Sequence, residues 1–230
     1  MIPIPYRDEN PRLRFPLVTS TIIALNLAAW LFELARGVDL SVLDYGLIPS
    51  WLLRGTRDGP LSVPGMGRLF LHQEVPVPLT VLTSMFLHGS WLHIIGNMWF
   101  LWIFGDNVED VLGKVRYVFF YLGCGLAAAL AQVLLTPGST LPMVGASGAV
   151  AGVLGAYLVL FPQARVRCLW VLIIFITFVR VPAWLLLGLW LVSQLLLPSN
   201  SGIAWMAHVG GFAAGAALAI LWIRPRLRWT

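Results

Sequence analysis

Ser147 stands in the stretch PMVGASGAVAGVLGAY among glycines, alanines and valines, and His208 stands in a second small-residue run, AHVGGFAAG. A hydroxyl and an imidazole on two different segments are the nucleophile and base of acyl-transfer chemistry if the segments meet: the imidazole takes the hydroxyl proton and later protonates the leaving amine. The residues around them favour a meeting. Gly148 and Gly152 form one ridge of a helix, with Ser147, Ala151 and Gly155 beside it. In the other run Gly211 and Gly215 are spaced GxxxG, and His208 lies three residues before Gly211 on the same side, so two backbones can approach closely. Gly145 and Ala146 leave room for backbone amides to face a ligand, and the Ser147 N–H falls in a first turn, where amides lack intrahelical partners. Plainer roles stand beside these: a serine bonded to a carbonyl one turn back or to a neighbouring helix, and a histidine bridging two helices.

A third segment, HGSWLHIIGNMWF, carries His88, His93 and Asn97, with His93 and Asn97 four apart on one helical face. Histidine and asparagine without a carboxylate or thiol make a poor zinc set, and the chain contains no HExxH; no metal or other cofactor is expected. As neutral donors, His93 and Asn97 suit the negative oxygen of a tetrahedral intermediate, together with the Ser147 N–H. The alternative is that they bridge helix and loop. His88 is expected to hold the loop at the membrane edge. Asp106, Glu109 and Asp110 belong to the other end of this helix, and no acid is expected near Ser147 and His208, which points to a Ser-His dyad rather than a triad. Glu109 is expected to be structural, capping a helix or pairing with basic residues of the inner loops.

The elements that must position these groups are membrane helices. Of the 230 residues 59% are hydrophobic and only 11% charged, against about 25% charged in a soluble domain. The fifteen Lys and Arg are spread between apolar runs rather than gathered on one face, which argues against nucleic acid as a partner and for the lipid bilayer. Cys124 and Cys168 both lie in apolar runs and offer neither a disulfide framework nor a CxxC knuckle. A crossing needs about 20 apolar residues, which selects Leu17–Leu34, Trp91–Gly105, Tyr117–Leu135, Ser147–Phe161 and Ala204–Ile223. Between Cys168 and Leu197, Pro182 is expected to kink or break a helix; the reading is one crossing over Val181–Leu197, preceded by a short membrane-seated segment.

The expected fold is thus an all-α membrane protein of six helices. Residues 1–16 form a cytosolic tail, 17–223 the membrane domain with a long structured outer loop over about 36–80, and 224–230 a basic cytosolic tail. With both termini inside, the inner pieces carry ten Lys and Arg against four in the first outer loop, Arg180 being unassigned. The start MIPIPYRDENPRLRF, with its acids and prolines, reads as a tail before an uncleaved helix rather than a signal peptide. A prokaryotic plasma membrane is the expected location.

HGSWLHIIGNM, GDNVE, GASGAVAG and AHVGGFAAG, in that order, resemble the rhomboid intramembrane serine proteases. The resemblance covers nearly all of the chain from the first helix to Trp222. It implies a compact six-helix bundle with a short fourth helix at the floor of a water-accessible cavity. It also implies Ser147 as nucleophile, His208 as base, and His93 and Asn97 as oxyanion-stabilising side chains. Substrates would be single-pass membrane proteins cut in or near the membrane segment, often after a small residue, with the fifth helix and the cap over the cavity as the access gate. Two features depart from the pattern: Ala151 stands where some relatives have a tyrosine under the histidine, and WLLR at Trp51–Arg54 is no secure equivalent of a Trp-Arg dipeptide. A catalytically silent relative that binds membrane proteins for quality control is the alternative, but both dyad residues and both oxyanion donors are present. A small transporter would need charged or broken helices at midplane in two related halves, and no repeat is visible.

Overall fold

The computed structural model describes residues 3–63, 67–172, 175–196 and 203–223. The expected basic tail at 224–230 lies outside these, as does the end of the segment read as running to Leu197. In chain order the elements are β1 (Ile4–Asp8), α1 (Leu17–Arg36), α2 (Val38–Tyr45), α3 (Pro49–Arg54), β2 (Asp58–Val63), β3 (Gly67–His72) and α4 (Val77–Thr83). There follow α5 (Trp91–Leu112), α6 (Lys114–Leu135), α7 (Ser147–Leu160), β4 (Arg165–Leu172), β5 (Phe175–Pro182), α8 (Ala183–Leu195) and α9 (Trp205–Leu218), which runs into a π-helical turn, Ala219–Ile223.

Two helices, α1 and α6, are long and apolar enough to cross a membrane; at 20 and 22 residues they span about 30 Å or more. Their outward faces carry Leu25, Leu31, Phe119, Leu130 and Leu134, all more than 40% exposed. Such a rim would be a liability in water and is ordinary in hydrocarbon. α7 is the centre of the bundle. Gly148 through Tyr157 are all buried, against α9, α6 and α5 above all. At 14 residues α7 measures about 21 Å, shorter than a full crossing.

Small residues set how close these helices come. A Cβ at Gly211 would collide with the carbonyl of Gly148, one at Gly215 with the carbonyl of Gly152, and one at Gly155 with the carbonyl of Phe212. The expected division of labour on α7 needs adjusting, because Gly148 and Gly152 themselves chiefly make room for Ala128 and Cys124 of α6. Hence the α7–α9 contact relies on Gly155, Gly211 and Gly215, while Gly148 and Gly152 also admit α6.

The all-α expectation is corrected to mostly helical. β4 and β5 form an antiparallel hairpin, from Arg165↔Pro182 to Leu172↔Phe175, and β1 adds to its other edge. The segment expected to seat in the membrane before the fifth helix is therefore this hairpin. Its run of Val, Ile, Phe and Thr suits a strand as well as a helix. Pro182 is neither a kink nor a break; it sits at the N-cap of α8, where its missing N–H costs nothing. The N-terminal tail is ordered for the same reason, because β1 pairs with β4. Arg180 and Arg167 share the Glu9 carboxylate at 3.1 and 2.8 Å, and these two arginines hold it below the usual carboxylate range.

The long outer loop is structured, as expected, by α2, α3, α4 and the β2–β3 hairpin. It holds the approach to Ser147: Leu47 and Met143 exchange both backbone hydrogen bonds, at 3.0 and 2.7 Å, and the Gly145 N–H donates to the Ser84 carbonyl at 2.8 Å.

Candidate functional site

Gly145 has φ +131, open to glycine and strained for other residues. Beyond it the chain turns into α7, whose first residue is Ser147. On α9, His208 faces it, with Nε2 2.8 Å from Ser147 Oγ. Both residues are half-buried, so the pair is enclosed yet reachable. The structure thus brings together the two groups that the sequence placed 61 residues apart.

α5 supplies the third side. Its start is fixed by Ser90, whose hydroxyl accepts the His93 N–H at 3.2 Å. The Gly89 N–H donates to His93 Nδ1 at 3.4 Å, which makes Nδ1 the acceptor and leaves the proton on Nε2. That Nε2 is close to the Gly145–Ser147 turn, since a Cβ at Gly145 would lie 2.7 Å from it and 3.3 Å from Ser147 Oγ. Asn97 is buried, and among the described residues its Nδ2 has no hydrogen-bond partner. The Gly145 amide is used by the Ser84 carbonyl, and the first-turn amides of α7 have no partner within their own helix.

A small cavity opens beside Ser147, lined by Ser84, Met85, Gly125, Ala129, Met143 and Gly145 among others, with a volume of about 20 Å³, room for about one water. Of the residues singled out for support, Glu109 is a cap. One carboxylate oxygen accepts the Val18 N–H at 2.9 Å, the other the Thr19 N–H and hydroxyl at 2.8 Å each. The expected pairing with basic residues is not seen among the described residues. His88 is fully buried, its ring edge-on to His93 at 5.0 Å between centroids. Its backbone N–H donates to both oxygens of buried Glu33, at 3.1 and 3.0 Å. An acid therefore does lie in a long helix near this cluster, which the sequence reading passed over, although it touches neither Ser147 nor His208.

Sequence reasoning also missed Gln194. Its Oε1 is 2.7 Å from His208 Nδ1, and Trp190, one turn earlier on α8, lies with its ring 6.1 Å from the imidazole. Ala151 is buried and offers no ring. The available signal was a polar residue at helical spacing from a tryptophan in an otherwise apolar helix.

Comparison with known proteins places these residues in context. The Rhomboid domain family matches residues 77–225. Relatives include the chloroplastic Rhomboid-like protein 11 of Arabidopsis thaliana, 37% identical over 40% of this chain and 32% of its own length. The mitochondrial Rhomboid protein 1 of Saccharomyces cerevisiae is 29% identical over 61% of this chain and 35% of its own. YdcA of Bacillus subtilis, provisionally named a rhomboid protease, is 27% identical over 64% of this chain and 69% of its own. The chain thus spans about a third of the length of the plant and yeast relatives. With the domain match covering well over half of its residues, and with the four motifs inside or beside α5, α7 and α9, the chain belongs to the rhomboid family of integral membrane proteins.

Proposed function

We propose that this protein is an intramembrane serine endopeptidase that cuts single-pass membrane proteins in or near their membrane segment. The observation that carries the reading is the 2.8 Å approach of His208 Nε2 to Ser147 Oγ. Ser147 Oγ attacks the scissile carbonyl as His208 Nε2 takes its proton. The developing oxyanion is met in this reading by His93 Nε2–H, Asn97 Nδ2–H and the Ser147 N–H, neutral donors of the kind that stabilise such a charge. His208 then hands the proton to the leaving amine, and water, activated by the same imidazole, hydrolyses the acyl-enzyme. The small cavity beside Ser147 suits a small side chain before the cut. A helical substrate must unwind first, because its carbonyls are tied up in i to i−4 bonds.

In this reading the membrane bundle is built of six helices, α1, α5, α6, α7, α8 and α9, with both termini and the β1–β4–β5 sheet on the cytosolic side. α7, too short for a full crossing, starts below the outer surface, which puts Ser147 at the floor of a water-accessible recess. The bounds 17–223 for the membrane domain follow from this topology.

The test is incubation of the purified protein in liposomes with a panel of transmembrane peptides. Cleavage is expected from the parent and not from Ser147→Ala, and a fluorophosphonate probe is expected to label Ser147 only while His208 is present. Equal cleavage by Ser147→Ala overturns the assignment. Substrates bound but uncut by the parent would make the chain a silent membrane-protein-binding relative.

A further inference from the structure

The dyad uses one nitrogen of His208, and what happens at the other decides whether that one is usable. A neutral imidazole carries a single proton. If it sits on Nε2, that nitrogen cannot accept from Ser147. The 2.7 Å contact between Nδ1 and Gln194 Oε1 bears on this directly, because an amide oxygen only accepts.

The orientation of the amide is itself fixed. Gln194 Nε2 is 3.1 Å from Ser193 Oγ and 3.4 Å from the Trp190 carbonyl. The Trp190 carbonyl is purely an acceptor, so the NH2 end must face it and the oxygen end must face His208. Trp190 and Gln194 are four apart and share one face of α8. The Trp190 ring is tilted 38° to His208 and stacks near-parallel, at 26°, on Phe212 of α9. That stacking holds the α8 face against the α9 turn that bears the histidine.

We infer that Gln194 is the positioning residue of this site: its side-chain carbonyl keeps the His208 proton on Nδ1, so that Nε2 is free to accept the Ser147 proton, and α8 is thereby part of the catalytic apparatus. The inference rests on the proteolytic reading for its effect on turnover, but not for its effect on the tautomer. An uncharged acceptor suffices in this low-dielectric setting, where a buried carboxylate would bring its own desolvation cost. The group whose charge His208 would sense is the imidazole of His93 on α5; Ser147, Gln194 and Trp190, which face it from α7 and α8, are neutral.

Two measurements on the purified full chain in detergent test this. The first is the ring tautomer, read by two-bond nitrogen–proton correlation with 15N-histidine; the chain has four histidines, and the His208 signal is the one lost in His208→Gln. The parent is expected to show protonated Nδ1 and unprotonated Nε2, and Gln194→Met, which keeps the volume without a strong acceptor, to shift toward the other tautomer. The second is turnover. Gln194→Met is expected to lower kcat about tenfold to a hundredfold, by analogy with other groups that orient a functional histidine, with KM changed less than about twofold. Gln194→Glu, which retains an acceptor, is expected to restore kcat at alkaline pH, with the acid limb of its pH profile moved upward because a carboxylate favours the imidazolium.

A parent tautomer with the proton on Nε2, an unchanged tautomer in Gln194→Met, or an active parent whose kcat survives Gln194→Met overturns the inference. A parent that cuts no substrate while its tautomer responds to Gln194→Met upholds the positioning role and counts against the protease instead.

Discussion

Gly211 on α9 lies so close to the Gly148 carbonyl on α7 that even a methyl group has no space between them. Gly148 follows Ser147 directly, and Gly211 is three residues from His208, so this backbone contact sets the separation of the dyad.

Gly211→Ala is therefore expected to do more than its single methyl implies. Neither the Gly148 carbonyl nor its helix can step aside, and overpacking of this kind costs about 1–3 kcal/mol. Thermal unfolding in detergent is expected to show that loss, and cleavage per folded molecule to fall at least about tenfold as His208 leaves hydrogen-bond reach. Gly123→Ala on α6, where nothing lies within 4 Å of the added carbon, is the control and is expected to leave both intact. Parental activity in Gly211→Ala would show that the α7–α9 distance is not what positions the pair.

Asn97→Ala removes a buried donor that has no hydrogen-bond partner among the described residues. Its expected effect is confined to the reaction: kcat down about a hundredfold to a thousandfold, as for a lost oxyanion donor, with KM and melting temperature near those of the parent. A drop in stability without a drop in kcat would make Asn97 a structural residue.

Glu109→Ala strips α1 of its cap. Pro16 at the N-cap makes no side-chain hydrogen bond, so the α5 carboxylate is what receives the Val18 and Thr19 amides. Leaving buried hydrogen-bond groups unpaired costs about 1–3 kcal/mol, and a loss of at least that size is expected on unfolding, with a smaller one for Glu109→Gln. Activity of the folded fraction should be unchanged; a selective loss of activity would place Glu109 in the reaction.

Asp8 is buried, and its carboxyl accepts the Tyr157 hydroxyl at 2.7 Å, which Asn10 supports at 2.9 Å. Burial raises its pKa above the ordinary value despite these bonds. A group whose folded-state pKa is raised binds more protons folded than unfolded, so its contribution is full at acid pH and is lost as pH climbs through the raised value. The Asp8→Asn variant, neutral throughout, is expected to be more stable than the parent at neutral pH and to lose that advantage toward pH 4. Parallel stability curves for the two proteins would refute the raised carboxyl.

The sequence by itself determined the candidate residues and the local geometry around them. Ser147, His208, His93 and Asn97 are legible because an apolar helix has few reasons to carry a hydroxyl, an imidazole or an amide, and because helical periodicity places the glycines beside them on definite faces. Glu109 was legible as structural, with capping one of two roles open to it; that it caps α1 across 90 residues was decided by packing. Tertiary structure decided what depends on partners distant in sequence. The run from Arg165 to Pro182 is apolar and β-branched, and its folding back on itself as β4 and β5, with β1 from more than 150 residues earlier added to the edge, selects strand over helix. Glu33 meets His88 across 55 residues through the packing of α1 beside α5. Gln194 reads as one polar residue in an apolar helix until α8 and α9 fold together and bring its carbonyl to His208 Nδ1. Local periodicity fixes which way a side chain faces along its own helix, whereas what waits on the other side is set by how the helices pack.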